Sequence, residues 1–255
     1  MPYFIDFLNQ YHLSIISFLL AFLATVILGL GKAGVKGLGV IIVTLMALVF
    51  GGKASTGVLI PLMITADIFA VIYYHKHTQW NFLLKLLPTM VLGVVLGVFI
   101  GKNISEIIFK QIMAVLILLT VIIMIWMDRK KAKNIPNHWL FSSAMGLLSG
   151  ITSMIGNLAG SFADIYFLAM RLPKNEFIGT AAWLFLIINV FKLPFHFFVW
   201  NTVTSETIFL NMFLIPAIFI GFFTGVAVVK RINNENYRKF ILIATAVGAL
   251  LILLK

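Results

Sequence analysis

From Ile112 to Trp126 the chain reads IMAVLILLTVIIMIW, without a single charged side chain. That is most of the roughly twenty apolar residues a helix needs to cross about 30 Å of hydrocarbon. Long apolar stretches recur along the whole chain, so its solvent is lipid rather than water. Composition agrees, with 62% hydrophobic and 11% charged residues and a mean hydropathy of +1.08. An ordinary soluble domain is about half apolar and a quarter charged.

Ten apolar segments can be marked, at 12–30, 37–50, 54–75, 82–101, 106–127, 139–156, 158–171, 177–200, 207–229 and 239–254. The segments 37–50 and 158–171 are short for a full crossing and read as half-helices or re-entrant pieces, which gives 8 to 10 spans. If the N-terminus starts outside, the cytoplasmic connections collect Lys32, Lys36, Lys76, Arg129, Lys130, Lys131, Lys133, Arg171, Lys174, Lys230, Arg231, Arg238 and Lys239. The outer ones keep Lys53, Lys102 and Lys255. This positive-inside bias predicts a multi-pass protein of the cytoplasmic (inner) membrane with both termini outside. It also accounts for the net charge of +11 without a nucleic-acid partner, because the basic residues sit between apolar segments and not along one face. The earliest basic residue is Lys32, so a cleaved signal peptide is not expected. With no cysteine and no His-x-x-x-His or carboxylate cluster, neither a metal nor a cofactor is expected.

One interruption resembles a nucleotide-binding loop. GLGKAGVKGLG, Gly29 to Gly39, contains G-x-G-x-x-G (Gly29, Gly31, Gly34) with Lys32 and Lys36. A dinucleotide fingerprint follows a short strand and precedes an acid by about twenty residues. Here a long apolar run without alternation precedes it, and no acid follows before Asp67.

The two halves of the chain echo each other. Pro88, Gly93 and Gly97 form P-x4-G-x3-G, and Pro216, Gly221 and Gly225 repeat it at an offset of 128; Gly57 and Gly179, and Asp67 and Asn189, align at 122. An odd number of segments per half reverses the second half, which predicts an all-α fold of two five-segment inverted repeats. The first spans 1–127, the second 139–255, and a basic connector, 128–138, joins them. Inverted repeats are a common build of secondary transporters, whose sites lie between the halves at paired short, glycine-interrupted segments. GLLSGITSMIGNLAGS, Gly146 to Ser161, is the second-half counterpart of the opening glycine stretch. Unwound turns there, followed by helix N-termini, would present N–H groups to an anion. Lys32 and Lys36 would add positive charge, with Asn157 and Ser161 as neutral partners. The bland reading is cytoplasmic loop charge for Lys32 and Lys36, and close helix packing for Gly93, Gly97, Gly221 and Gly225.

Polar residues also occur at depth. Asp67 lies about 13 Å along its helix from Lys76, and Asn189, Lys192 and His196 share one helical face. Ionisable groups at such depth mark functional pathways by default. Asp67 and His196 are the candidates for proton handling, should transport be proton-coupled. Two A-D-I-aromatic tetrads, at Asp67 and Asp164, raise the rival of an intramembrane aspartyl protease. That enzyme would need both acids, whereas transport predicts that Asp164→Asn retains flux.

GLGKAGVKGLG, STGVLIPLMITADIFAVIYYHKHTQW, the two P-x4-G-x3-G helices and RLPKNEFIGTAAWLFLIINVFKLPFH together resemble the TauE/SafE sulfite exporters along the whole chain. The resemblance implies a two-repeat helical transporter of small anions such as sulfite, sulfoacetate and related organosulfonates. Its motif positions fall on Gly31, Lys32, Gly34 and Gly37 in the first half and on Asn157, Thr180, Asn189 and Lys192 in the second. The expected function is therefore non-enzymatic: export of a small anion by alternating access, with an anion channel as the alternative. The expected partners are that anion and the bilayer, with a homo-oligomer left open.

Overall fold

The computed structural model describes residues 13–102, 104, 105, 107–109, 111, 112, 115, 138–233, 236 and 237. The apolar segments expected at 106–127 and 239–254, and the connector but for His138, lie largely or wholly outside the described residues, as does the Ser161 side chain.

All regular structure among the described residues is helical. The helices are α1 (Ile15–Lys32), α2 (Gly39–Phe50), α3 (Gly52–Tyr74), α4 (Trp80–Lys102), α5 (Trp139–Gly156), α6 (Ala159–Ala169), α7 (Lys174–Phe198) and α8 (Ser205–Lys230), with a 3-10 turn at His75–His77. Six of them, α1, α3, α4, α5, α7 and α8, are long and apolar enough to cross a membrane. α2 and α6, of 12 and 11 residues, are not. The expected short segments are thus short helices, each entered from a break in the chain. Rows of large apolar side chains stay exposed, among them Leu92, Leu96 and Phe99 on α4 and Phe219, Ile220 and Phe223 on α8. Such a surface suits hydrocarbon.

Glycine sets the closest helix contacts. Gly29 on α1 and Gly221 on α8 meet backbone to backbone, and a Cβ on Gly221 would overlap the Val26 carbonyl. Gly93 on α4 meets Leu147 and Gly150 on α5 in the same way. Without a hydrophobic force between helices in lipid, such small-residue contacts let van der Waals attraction hold them together. This corrects the expectation that Gly29, Gly146 and Gly150 mark unwound backbone. They are helical packing positions, and α1 continues through Gly31 to Lys32.

The order of contacts gives the helix directions. Along α1 and α8, Val26 meets Gly221 and Ala33 meets Gly225; along α4 and α5, Thr89 meets Gly146 and Gly97 meets Met154. Each pair is parallel. α3 and α7 are antiparallel: Gly57 packs on Thr202 just past α7, Asp67 bonds Asn189 at mid-helix, and Thr78 and Gln79 bond Gly179 and Thr180. Lys53 reaches the Lys102 carbonyl at one end of the bundle, near Trp200, which bonds the Val98 carbonyl. At the other end Lys174 caps the Val229 and Ile232 carbonyls, and Tyr74 bonds the Ala33 carbonyl. The ends of α1, α3 and α8 and the starts of α4 and α7 therefore share one end.

Candidate anion site

Two chain breaks and the middles of α3 and α7 meet around one cavity. The first break follows α1. Gly34, at φ +116°, and Gly37, at +86°, adopt left-handed backbone that a side chain disfavours. Gly34 N–H donates to the Gly31 carbonyl and Val35 N–H to that of Leu30, which closes the helix end. Tyr74 and Tyr237 hydroxyls pin this link by donating to the Ala33 and Gly34 carbonyls. The second break follows α5, where Asn157 itself takes the left-handed conformation, at φ 55°. Its side-chain amide donates to the Thr56 carbonyl on α3, 3.1 Å away.

Beyond each break a short helix begins on an apolar residue, Leu38 before α2 and Leu158 before α6, and neither supplies a side-chain cap. First-turn N–H groups are thus left without intrahelical acceptors and carry the positive end of the helix dipole. Gly37, Leu38 and Gly39 of the first break, and Ala159 and Gly160 of the second, line the cavity.

Its volume is about 90 Å³, room for roughly three waters at ~30 Å³ each. Three lysines reach it. Lys32, on the last turn of α1, lies 2.7 Å from Asp67 Oδ1, and its ammonium sits 4.8 Å from the centre of the Phe185 ring. The other Asp67 oxygen accepts a hydrogen bond from Asn189 at 2.6 Å. Lys36 lies 3.6 Å from Asp164 Oδ1 and over the Phe177 and Phe185 rings. Lys192 is fully buried and donates to Ser153 O at 2.9 Å, Ser153 Oγ at 3.0 Å and Asn157 Oδ1 at 2.8 Å. Three acceptors match the three donors of an ammonium group. Among the described residues no carboxylate lies within ion-pair distance of Lys192, while Lys32 and Lys36 each have one.

Of the residues singled out from sequence, Gly31, Lys32, Gly37, Asn157, Asn189 and Lys192 line the cavity together with Lys36. Asp67 stands directly behind Lys32 and Asn189. Three others lie apart from the wall. Gly34 packs under Ile178, Thr180 accepts from Gln79 N–H in the turn after α3, and His196 bonds the Thr202 hydroxyl at 2.8 Å beside Trp200. Sequence reasoning missed Ser153, Gly160, Phe185 and Asp164. Ser153 and Gly160 do lie in the glycine-broken stretch Gly146 to Ser161, and the signal for Asp164 is an acid in an unusually short apolar segment. In the structure Asp67 faces Lys32 and Asp164 faces Lys36, so the two carboxylates do not form the shared-proton pair that a protease requires.

Comparison with curated proteins and with solved structures gives no match. The family model described as sulfite exporter TauE/SafE matches residues 17–252, nearly the whole chain. With its helices of membrane-crossing length, this chain is a multi-pass membrane protein and belongs to the TauE/SafE sulfite exporter family.

Proposed function

We propose that this protein is a secondary transporter that exports a small sulfur oxyanion or organosulfonate, such as sulfite or sulfoacetate, by alternating access across the cytoplasmic membrane. The observation that carries the reading is Lys192, a fully buried ammonium on the cavity wall that is hydrogen-bonded but, among the described residues, has no carboxylate within ion-pair distance. A buried charge is tolerated when it is paired, and a bound anion would complete the pair. Lys32, Lys36, the uncapped turns of α2 and α6, and the Asn157 and Asn189 amides converge on the same small volume. That volume suits an anion of a few heavy atoms.

Two further features support the reading. Corresponding helices of the two halves run in opposite senses, α1 against α5, α3 against α7 and α4 against α8, as inverted repeats 1–127 and 139–255 require. The cavity wall is also unequal: Gly39 is exposed, whereas beyond Lys192 the chain is sealed by His196 and by Trp200 packed on Gly101. One access route is thus open and the opposite one closed. With the basic end of the bundle inside and the termini outside, the open route faces the cytoplasm. Export of an anion from a negative interior then gains about 2.3 kcal/mol per charge per 100 mV.

The test is anion flux in proteoliposomes with sulfite, sulfoacetate, sulfate and acetate. A saturable flux that is stimulated by anion on the far side is expected, preferring sulfur oxyanions and falling at least tenfold in Lys192→Met. Flux that grows linearly with concentration would establish a pore instead, and no flux of any of the four would refute the assignment.

A further inference from the structure

Asp164 is a buried acid to which the transport scheme assigns no work. It projects from α6 into the cavity wall, and its Oδ1, 3.6 Å from Lys36 Nζ, is buried without a hydrogen-bond partner. Asp67 Oδ1 is likewise without a hydrogen-bond partner, but it sits 2.7 Å from Lys32 in a close ion pair, and the other Asp67 oxygen accepts from Asn189 at 2.6 Å. Of the two acids, Asp164 is the one loosely held.

The ionisable groups around it can be enumerated among the described residues. α1 brings Lys32, the α1–α2 link Lys36, α3 Asp67 and α7 Lys192. α5, packed along α6, has no ionisable side chain. The Tyr74 and Tyr237 hydroxyls are engaged by carbonyls of the link. At their ordinary charges, three lysines against two carboxylates leave one positive charge. One negative charge on the substrate balances it. A second is unbalanced unless a carboxylate is neutralised, and protonating Asp164 sacrifices neither a hydrogen bond nor a tight ion pair. The resulting O–H also becomes a donor in the cavity.

We infer that Asp164 is a proton site that fixes the charge moved per cycle: a monoanion crosses alone, and a dianion crosses with one proton on the Asp164 carboxyl. This deepens the proposed transport and rests on it. The carboxylate takes its proton from the solution that supplies the dianion, Lys36 turns from Asp164 to the substrate, and proton and dianion leave together on the far side. In both cases the net charge carried is one negative unit. The structure thereby assigns the role to Asp164 in place of Asp67, which is held on both oxygens, and His196, which is off the cavity.

The experiment uses the full chain in proteoliposomes with an internal pH dye and a clamped potential, comparing methanesulfonate, a monoanion, with sulfate, a dianion. Sulfate efflux should remove one proton per anion and speed up about tenfold from pH 8 to pH 6. Methanesulfonate efflux should move none and change less than twofold. Asp164→Asn, a permanent mimic of the protonated acid, should carry sulfate without proton movement and without the pH dependence. Sulfate flux without protons in the native protein, proton movement that persists in Asp164→Asn, or methanesulfonate flux with no sulfate flux at either pH would each overturn the inference while leaving anion transport intact. Absence of flux for both anions would likewise overturn the inference, and the transport reading falls with it only when sulfite, sulfoacetate and acetate show no flux either. The proton count in the native protein decides the matter if Asp164→Asn fails to fold.

Discussion

Lys192 and Lys32 are both cavity lysines, but their surroundings give them different consequences on mutation. Lys192 is held by neutral oxygens of Ser153 and Asn157. Lys192→Met keeps the stem and removes the ammonium, leaving buried acceptors unmatched at about 1–3 kcal/mol. The purified variant should melt a few degrees lower and, unlike the native protein, gain no thermal stability from added sulfite. Lys32 has a carboxylate partner, Asp67, which is itself fully buried. Asp67→Leu leaves the lysine unpaired, and breaking a buried pair in this way costs about 3–5 kcal/mol. The double variant Lys32→Met with Asp67→Leu should recover most of that loss in a thermal melt, which a purely steric role for Asp67 would not allow.

At the scale of the helix, the glycines divide into those that hold helices together and those that leave space. Gly221 sits against the α1 backbone at Val26, where a side chain has no room. Gly221→Leu should cost about 1–3 kcal/mol or more through overpacking, seen as loss of monodisperse protein in detergent. Gly39 opens α2 with nothing within 4 Å of where its Cβ would stand. Gly39→Ala should therefore fold as the native protein does, and Gly39→Leu should fold but reduce anion flux by filling the mouth of the cavity. The packing task of Gly221 was legible in its P-x4-G-x3-G motif, whereas the open space beside Gly39 was not. Whether a glycine faces a neighbouring backbone or open space depends on which helix lies beside it.

At the scale of the whole molecule, the two ends of the bundle differ in charge and in closure. Lys53, Lys102 and Trp200 gather at one end, and Tyr74, Lys174 and the end of α8 at the other. Because the chain has no cysteine, single cysteines report cleanly. In right-side-out vesicles Asn201→Cys should react with an impermeant maleimide, and Thr78→Cys only after permeabilisation; the opposite pattern would invert the proposed orientation. Trp200 packs on Gly101 and bonds the Val98 carbonyl, sealing the end beyond Lys192. Trp200→Ala should open that end and convert saturable flux into a leak, measured as flux that no longer plateaus with concentration.

The lipid environment, the long helices, the short α2 and α6, and the lysines and amides of Gly31 to Gly37, Asn157, Asn189 and Lys192 were legible in the sequence. Apolar run length, charge placement and glycine spacing act locally along a chain in hydrocarbon, where every helix must satisfy its own backbone. Asp164 facing Lys36, Ser153 holding Lys192, and His196 and Thr180 lying off the cavity were decided by tertiary structure alone. These depend on contacts between residues far apart in the chain, such as Lys36 with Asp164 and Ser153 with Lys192. The pairing of such groups is set by how helices cross, which no local pattern records.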